Sequence, residues 1–204
     1  MRVLIAGFGP FPGAPFNPSA LLVMALARRR RPALAGIARA THVFATAYAA
    51  VDSDLPELFA AEPDIVLIFG LAGRRHELCI ETRARNAVSV LFPDASGHRP
   101  PSGVIAAGEP QSRRGHAPFM RLLGAVRPSA FPARLSRDAG RYLCNYAYWQ
   151  VLQRAQQGRP LAAFVHIPPI RLTPRRGKCR SPSFLQLVNA GEALLIALIG
   201  ARRR

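Results

Sequence analysis

Short apolar runs alternate with segments typical of helices along most of this chain, and that alternation constrains the fold more than any other feature. Residues 2–6 and 64–70 are almost unbroken apolar runs of the kind that form buried strands. Strands alternating with helices indicate an α/β domain layered around a central sheet. The predicted strands are residues 2–6, 41–47, 64–70, 133–135 and 162–167. The predicted helices are residues 17–30, 51–61, 119–126 and 184–199, with a further helix that begins near Cys144. Asn17 or Ser19 is predicted to cap the first helix.

The chain has 204 residues, enough for one well-buried core, and nothing in this length requires a second domain. Half of the residues are hydrophobic and only 19% are charged, which argues against global disorder. We therefore expect a single domain over residues 1–204. Residues 79–90 are predicted to continue as extended chain, and residues 93–118, rich in Pro, Gly, Ser and Arg, to form a long exposed or mobile loop.

Two segments bear on cellular location. The first apolar run ends after about five residues, which is too short for the apolar region of a signal peptide. Residues 184–199 are apolar but contain Gln186, Asn189 and Glu192, so we expect a core helix and no membrane partner. The cysteines Cys79, Cys144 and Cys179 form no CxxC pair, so neither a zinc site nor a disulfide framework is predicted, and a reducing cytoplasm suits them best.

The formal net charge of +17 raises nucleic acid as a partner. The arginines are scattered over several loops and helix ends, including a basic loop at residues 175–180, and no nucleic-acid recognition motif accompanies them. A solvated basic surface is therefore favoured over a dedicated nucleic-acid interface.

Three residues have the chemistry of a cysteine hydrolase. Cys144 sits near the start of a predicted helix, where the helix dipole favours a thiolate. His166 ends a predicted strand and is a candidate base, and Glu81 is a candidate for orienting its imidazole. Backbone amides at the start of the Cys144 helix could stabilise an oxyanion. Each residue alone is more typical of an inert core cysteine, a structural histidine or a solvated glutamate, and spacing does not show that they meet.

A resemblance to a known family rests on a series of motifs in order along the chain. These motifs are AGFGPFPGAPFNPS, GLAGRR, IETRARN, FPDASG, AGRYLCNYAYW and FVHIPP. They resemble the successive motifs of pyroglutamyl peptidase I, from about Val3 to Pro169 and more weakly into the last helix. The resemblance implies a Glu81, Cys144, His166 triad, removal of an N-terminal pyroglutamyl residue from peptides without a cofactor or metal, and a three-layer α/β/α sandwich with a mixed, mostly parallel sheet. It also implies a homo-oligomer, often a tetramer, in the cytoplasm.

The family's ring pocket implies that Phe8 and Phe11 sandwich the flat, neutral lactam, with Phe92, Tyr142 and Leu143 at other wall positions. Without the resemblance, Phe8 and Phe11 would be interpreted as ordinary packing beneath a loop.

The chain also departs from the family pattern. Leu71 stands where members commonly have Gln, and Leu91 where an Arg often precedes the Ile-Pro-Asp segment; Arg75 and Arg85 are candidates to substitute for that arginine. Two alternatives therefore stay open: a family member with altered or lost peptidase activity, or a basic nucleic-acid-binding protein on the same scaffold.

Overall fold

The computed structural model describes residues 1–11, 13–129, 131–155, 159–170 and 182–203. The basic loop at residues 175–180 and Cys179 lie outside the described residues. The strands are β1 (Arg2–Phe8), β2 (Ala38–Phe44), β3 (Ile65–Leu71), β4 (Leu78–Glu81), β5 (Arg83–Arg85), β6 (Ser112–Arg114), β7 (Ala133–Ser136) and β8 (Leu161–Ile167). The helices are α1 (Pro18–Arg28), α2 (Tyr48–Ala60), α3 (Phe119–Val126), α4 (Leu143–Arg154) and α5 (Phe184–Arg202).

Six strands form one sheet in the order β2-β1-β3-β8-β4-β7, and β5 pairs with β6 in a separate two-stranded sheet. Within the large sheet only β4 and β8 pair antiparallel; the other neighbours are parallel. Parallel strands buried on both faces need apolar side chains all along their length, which is why β1 and β3 are nearly continuous apolar runs.

Each face of the large sheet carries its own core. The residues of α1, α3 and α5 pack on one face, and those of α2 and α4 pack on the other. The predicted three-layer α/β/α sandwich with a mixed, mostly parallel sheet is thereby confirmed. The site helix α4 lies on the second face, where it buries Tyr148 and Trp149 completely.

The start of α1 anchors the loop that follows β1. Asn17 caps the helix, because its Oδ1 accepts a hydrogen bond from the Ser19 amide at 3.1 Å. The Ser19 hydroxyl also bonds both backbone groups of Phe8, at 3.0 and 3.1 Å. Gly7 allows this approach, because a Cβ there would stand 2.9 Å from the Ser19 carbonyl oxygen. Phe8 therefore belongs to β1 rather than to the loop predicted after residue 6.

Two other segments differ from the sequence prediction. Strand β2 lies three residues before the predicted 41–47, because residues 45–47 form the turn that leads into α2. The predicted extended segment 79–90 is divided into β4 and β5, and the predicted loop 93–118 contains β6. The Asn86 side chain fastens this loop, since it bonds the backbones of Ile105, Ala106 and Glu109.

The last helix is long and apolar enough to cross a membrane by length and composition. It nevertheless packs against α1, α3 and the sheet, and ten of its residues are buried in the core. The prediction of a core helix is in accord with this packing. The helix also carries the buried acid Glu192, whose carboxylate lies 3.2 Å from Nε of both Arg29 and Arg31.

Glu192→Gln should destabilise the fold, because it removes the buried carboxylate charge that pairs with Arg29 and Arg31. The carboxylate is 6% exposed, while the arginines are 29% and 56% exposed. We expect a loss of roughly 1–3 kcal/mol in the free energy of unfolding, measured by urea denaturation. Glu62→Gln is the matched control, since its pair with Arg2 is at the surface. Equal stability of the two variants would contradict the expectation.

Candidate active site

Cys144 lies in the first turn of α4, the position at which the sequence argument places a candidate nucleophile. Tyr142 is the N-cap residue, and within the described part of the chain no side chain caps this helix by a hydrogen bond. The first-turn amides are therefore left available to an anion in the adjoining pocket. The thiol is partly exposed, whereas Leu143 and Asn145 on either side of it are buried.

His166 and Glu81 come from neighbouring antiparallel strands. Cys79 pairs with His166 and Glu81 with Phe164, so Glu81 and His166 are diagonal neighbours on one face of the sheet. The His166 Nδ1 lies 2.8 Å from the Glu81 Oε1, which fixes the ring orientation. Both side chains are buried, with exposed fractions of 5% for His166 and 0% for Glu81.

The electrostatics favour a charged pair of Glu81 and His166. Burial by itself lowers the pKa of His166, but the charge and hydrogen bond of Cys144, followed by those of Glu81, outweigh burial and raise this pKa to about 9. Burial raises the pKa of Glu81, but its contacts with His166, Ser136 and Arg75 outweigh that effect and hold it below the ordinary value. The His166 imidazole therefore lies between the Cys144 thiol and the Glu81 carboxylate, the order of groups in a thiol nucleophile paired with an oriented base.

Gly70 is a site residue that the sequence argument missed. It pairs with His166 across β3 and β8, and a Cβ there would stand 2.8 Å from the Cys144 Sγ and from the Phe164 ring. Only glycine leaves room for the thiol beside the strand. The sequence signal was the glycine at the end of the apolar run, at the strand edge where ligands gather in α/β sheets.

Arg75 also reaches the site. Its Nη1 donates a hydrogen bond of 2.7 Å to the Glu81 Oε1, and its Nη2 donates one of 2.6 Å to the Asp138 carbonyl oxygen. Arg85, the other arginine singled out from the sequence, instead lies 3.6 Å from the Asp138 carboxylate. Leu91 is 73% exposed and does not line the pocket in front of the Cys144 thiol.

A mostly apolar pocket of about 230 Å³ opens in front of the thiol. Four of the five predicted substrate-binding residues line it together with Cys144 and His166: Phe8, Phe11, Tyr142 and Leu143. Phe92 is not among the lining residues, and its side chain is 64% exposed. Several other residues of the lining were not predicted from the sequence, namely Asn17, Thr46, Ala72, Ala139 and Gly140. Leu71, which departs from the family pattern, also lines the pocket.

A thiol, an imidazole and a carboxylate beside a small pocket, on an α/β/α sandwich, define a cysteine hydrolase. The sequence profile described as "Pyroglutamyl peptidase" matches residues 1–203 of this chain. The chain therefore belongs to the pyroglutamyl peptidase family, and the resemblance found from its motifs is confirmed.

Individual relatives agree with the family match. The pyrrolidone-carboxylate peptidase of Thermococcus onnurineus (strain NA1) is 34% identical over 171 residues, covering 82% of this chain and 84% of the relative. The corresponding protein of Pyrococcus furiosus is 30% identical and covers 97% and 96% of the two chains. Among solved structures, pyrrolidone carboxyl peptidase from Thermus thermophilus superposes with a TM-score of 0.83 at 28% identity, covering 95% and 98%.

Gly70→Ala should slow alkylation of Cys144 by iodoacetamide roughly tenfold, because the new methyl group displaces Sγ from its contact with the His166 imidazole, and a thiol next to an imidazolium is the more reactive one. Peptide mass spectrometry gives the rate at this one cysteine. Gly73→Ala is the matched control, since a Cβ there meets no atom within 4 Å. Equal alkylation rates in Gly70→Ala and Gly73→Ala would show that the strand does not set the position of the thiol.

Proposed function

We propose that Cys144, His166 and Glu81 are the catalytic residues of a pyroglutamyl peptidase I, a cysteine peptidase that removes N-terminal pyroglutamate from peptides. The observation that carries the proposal is the buried Glu81–His166 hydrogen bond of 2.8 Å, together with the contact of His166 with the Cys144 thiol, which lines an apolar pocket. Family membership supports the activity and does not favour a nucleic-acid-binding protein on this scaffold.

In the first half of the reaction the Cys144 thiolate attacks the carbonyl carbon of the pyroglutamyl residue. A carbon–sulfur bond forms, and the carbonyl oxygen becomes an oxyanion that the first-turn amides of α4 stabilise. When the tetrahedral intermediate collapses, the carbon–nitrogen bond breaks and His166 gives its Nε2 proton to the leaving amine. The shortened peptide leaves, and the pyroglutamyl group remains as a thioester.

In the second half, neutral His166 takes a proton from water, whose oxygen attacks the thioester carbonyl. The carbon–sulfur bond then breaks, 5-oxoproline leaves, and the Cys144 thiolate and His166 imidazolium are restored. Glu81 holds Nδ1 protonated throughout, so that Nε2 alone exchanges protons with the substrate.

The pocket suits a neutral lactam better than a charged amino terminus. The ring centroids of Phe11 and Tyr142 lie 6.4 Å apart, and the buried Phe8 also lines the pocket, so the walls offer aromatic and aliphatic surface. The side chains of Asn17 and Thr46 both donate to the Gly9 carbonyl oxygen, at 3.0 and 3.1 Å. They therefore hold the Phe11 loop in place and leave backbone groups to satisfy the lactam N–H and C=O. The role of Phe92 in binding stays a prediction from the resemblance.

We further infer a single domain, a cytoplasmic location and self-association into a homo-oligomer. One six-stranded sheet takes its strands from residues 2 to 167, which supports the single domain. Free thiols at Cys79 and Cys144 suit a reducing compartment. Large apolar side chains that are mostly exposed support burial against a second copy, namely Leu91, Phe92, Met120 and Leu185.

The wild-type protein should release the chromophore from a pyroglutamyl-linked chromogenic amide, and Cys144→Ala should release none above background, because the nucleophile is gone. The control substrate is the matching prolyl amide, whose ring carries a charged amine and no lactam carbonyl; it should be left uncleaved. Failure of the wild-type protein to cleave the pyroglutamyl amide, or equal cleavage by Cys144→Ala, would overturn the proposal.

The activity should fall at high pH with a midpoint near 9. Because the pKa of His166 is raised to about 9, the imidazolium persists through neutral pH and is lost only as pH rises through that value. Loss of this proton removes the donor to the leaving amine. The measurement is kcat/KM for the pyroglutamyl amide between pH 6 and 11 under conditions where the protein stays folded; an alkaline midpoint near the ordinary histidine value of about 6.5 would contradict it.

A further inference from the structure

Arg75 is the charged residue at the site that the mechanism above does not use. It lines the pocket, and its side chain is 23% exposed, so its guanidinium lies at the boundary between pocket and core. It bridges two parts of the site: Glu81 on β4 and the Asp138 carbonyl oxygen in the loop before α4. That loop supplies Ala139 and Gly140 to the pocket wall.

Arg75 and His166 share one oxygen of the Glu81 carboxylate. The Arg75 Nη1 and the His166 Nδ1 both approach the same carboxylate oxygen, Oε1, at 2.7 and 2.8 Å. The cation and the imidazolium therefore share one acceptor, and each reduces the negative charge that Oε1 offers to the other.

We propose that Arg75 is a positioning residue that orients Glu81 and limits how strongly its carboxylate holds the imidazolium proton of His166. The inference rests on the proposed function, because it assigns His166 as the acid that protonates the leaving amine. An acid donates best when it does not hold its proton too tightly. Without Arg75 the His166 imidazolium would be the one cation in contact with the Glu81 carboxylate among the described residues, and it would become a weaker acid.

Other charged groups around these residues do not duplicate Arg75. The imidazole of His166 faces the Cys144 thiol and the Glu81 carboxylate. Around the guanidinium, the Cys79 thiol is a hydrogen-bond neighbour, and its pKa is raised by burial. Asp138 contacts Arg75 through its carbonyl oxygen, while its carboxylate faces Arg85 at 3.6 Å.

The test compares Arg75→Gln and Arg75→Lys with Arg74→Gln, all assayed on the pyroglutamyl amide. Arg74 is the matched control, because it is exposed on the same turn and its replacement removes the same charge without touching Glu81. For Arg75→Gln we expect kcat to fall roughly tenfold, with a smaller change in KM. We also expect the alkaline midpoint of activity to move upward by about one pH unit, because loss of a neighbouring cation raises the pKa of the His166 imidazole. Arg75→Lys should return the midpoint close to the wild-type value, and Arg74→Gln should match the wild type in both readouts.

A merely structural role predicts the opposite pH effect. If loss of Arg75 only loosened Glu81 and Cys144 around the imidazole, the alkaline midpoint of Arg75→Gln would move downward, toward the ordinary histidine value. A downward or absent shift, or the same shift in Arg74→Gln, overturns the proposal. Titration of the His166 ring by NMR reports the same pKa without turnover. Absence of wild-type cleavage would contradict the proposed function instead, so the two failures are distinguishable.

Discussion

The buried hydrogen bond between His166 and Glu81 is the interaction on which the site depends. Two ionisable side chains that are almost fully buried are stable only when each satisfies the other. They meet because β4 runs antiparallel to β8 in the register that makes Glu81 the diagonal neighbour of His166. The one antiparallel pairing in an otherwise parallel sheet therefore lies at the chemistry, and the reversal creates the acid–base pair.

The Cys144 thiol contacts this pair from helix α4, which belongs to a helical layer and not to the sheet. Helix α4 packs on the face toward which Glu81 and His166 point, and the Tyr148 hydroxyl of that helix donates a hydrogen bond of 3.0 Å to the Glu81 carbonyl oxygen. Asn145, next to Cys144, bonds the backbone of residues 85–87 through its amide group. These contacts fix the start of the helix against the sheet, so the thiol needs no capping side chain to set its position.

The pocket walls are loops, and buried polar groups hold them. Asp94 accepts hydrogen bonds from the amides of Tyr48, Ser96 and His98, which ties its loop to α2. The Tyr142 hydroxyl then donates to the Pro93 carbonyl oxygen at 2.8 Å, so this aromatic wall is braced by the same loop. The FPDASG motif therefore fastens chain segments around the pocket.

Local pattern was sufficient for some elements and not for others. Helix α3 lies at the predicted residues 119–126, and Asn17 caps α1, because capping and apolar spacing are short-range signals. The β5–β6 pair could not be predicted, since each strand has three residues, most are charged or polar, and they pair across a long loop. Phe92, assigned to the pocket by resemblance, is 64% exposed and outside the pocket lining, so its role in binding stays a prediction.

The sequence by itself determined the α/β class, the chemistry of the thiol, imidazole and carboxylate, and, through its motifs, the family, because residue type and order are read directly from the chain. The tertiary structure alone decided that β4 reverses direction, that Gly70 leaves space for the thiol, and that Arg75 shares a carboxylate oxygen with His166. These features depend on short interatomic distances between residues that lie far apart along the chain. They depend on strand register and packing, which no local pattern of residues encodes.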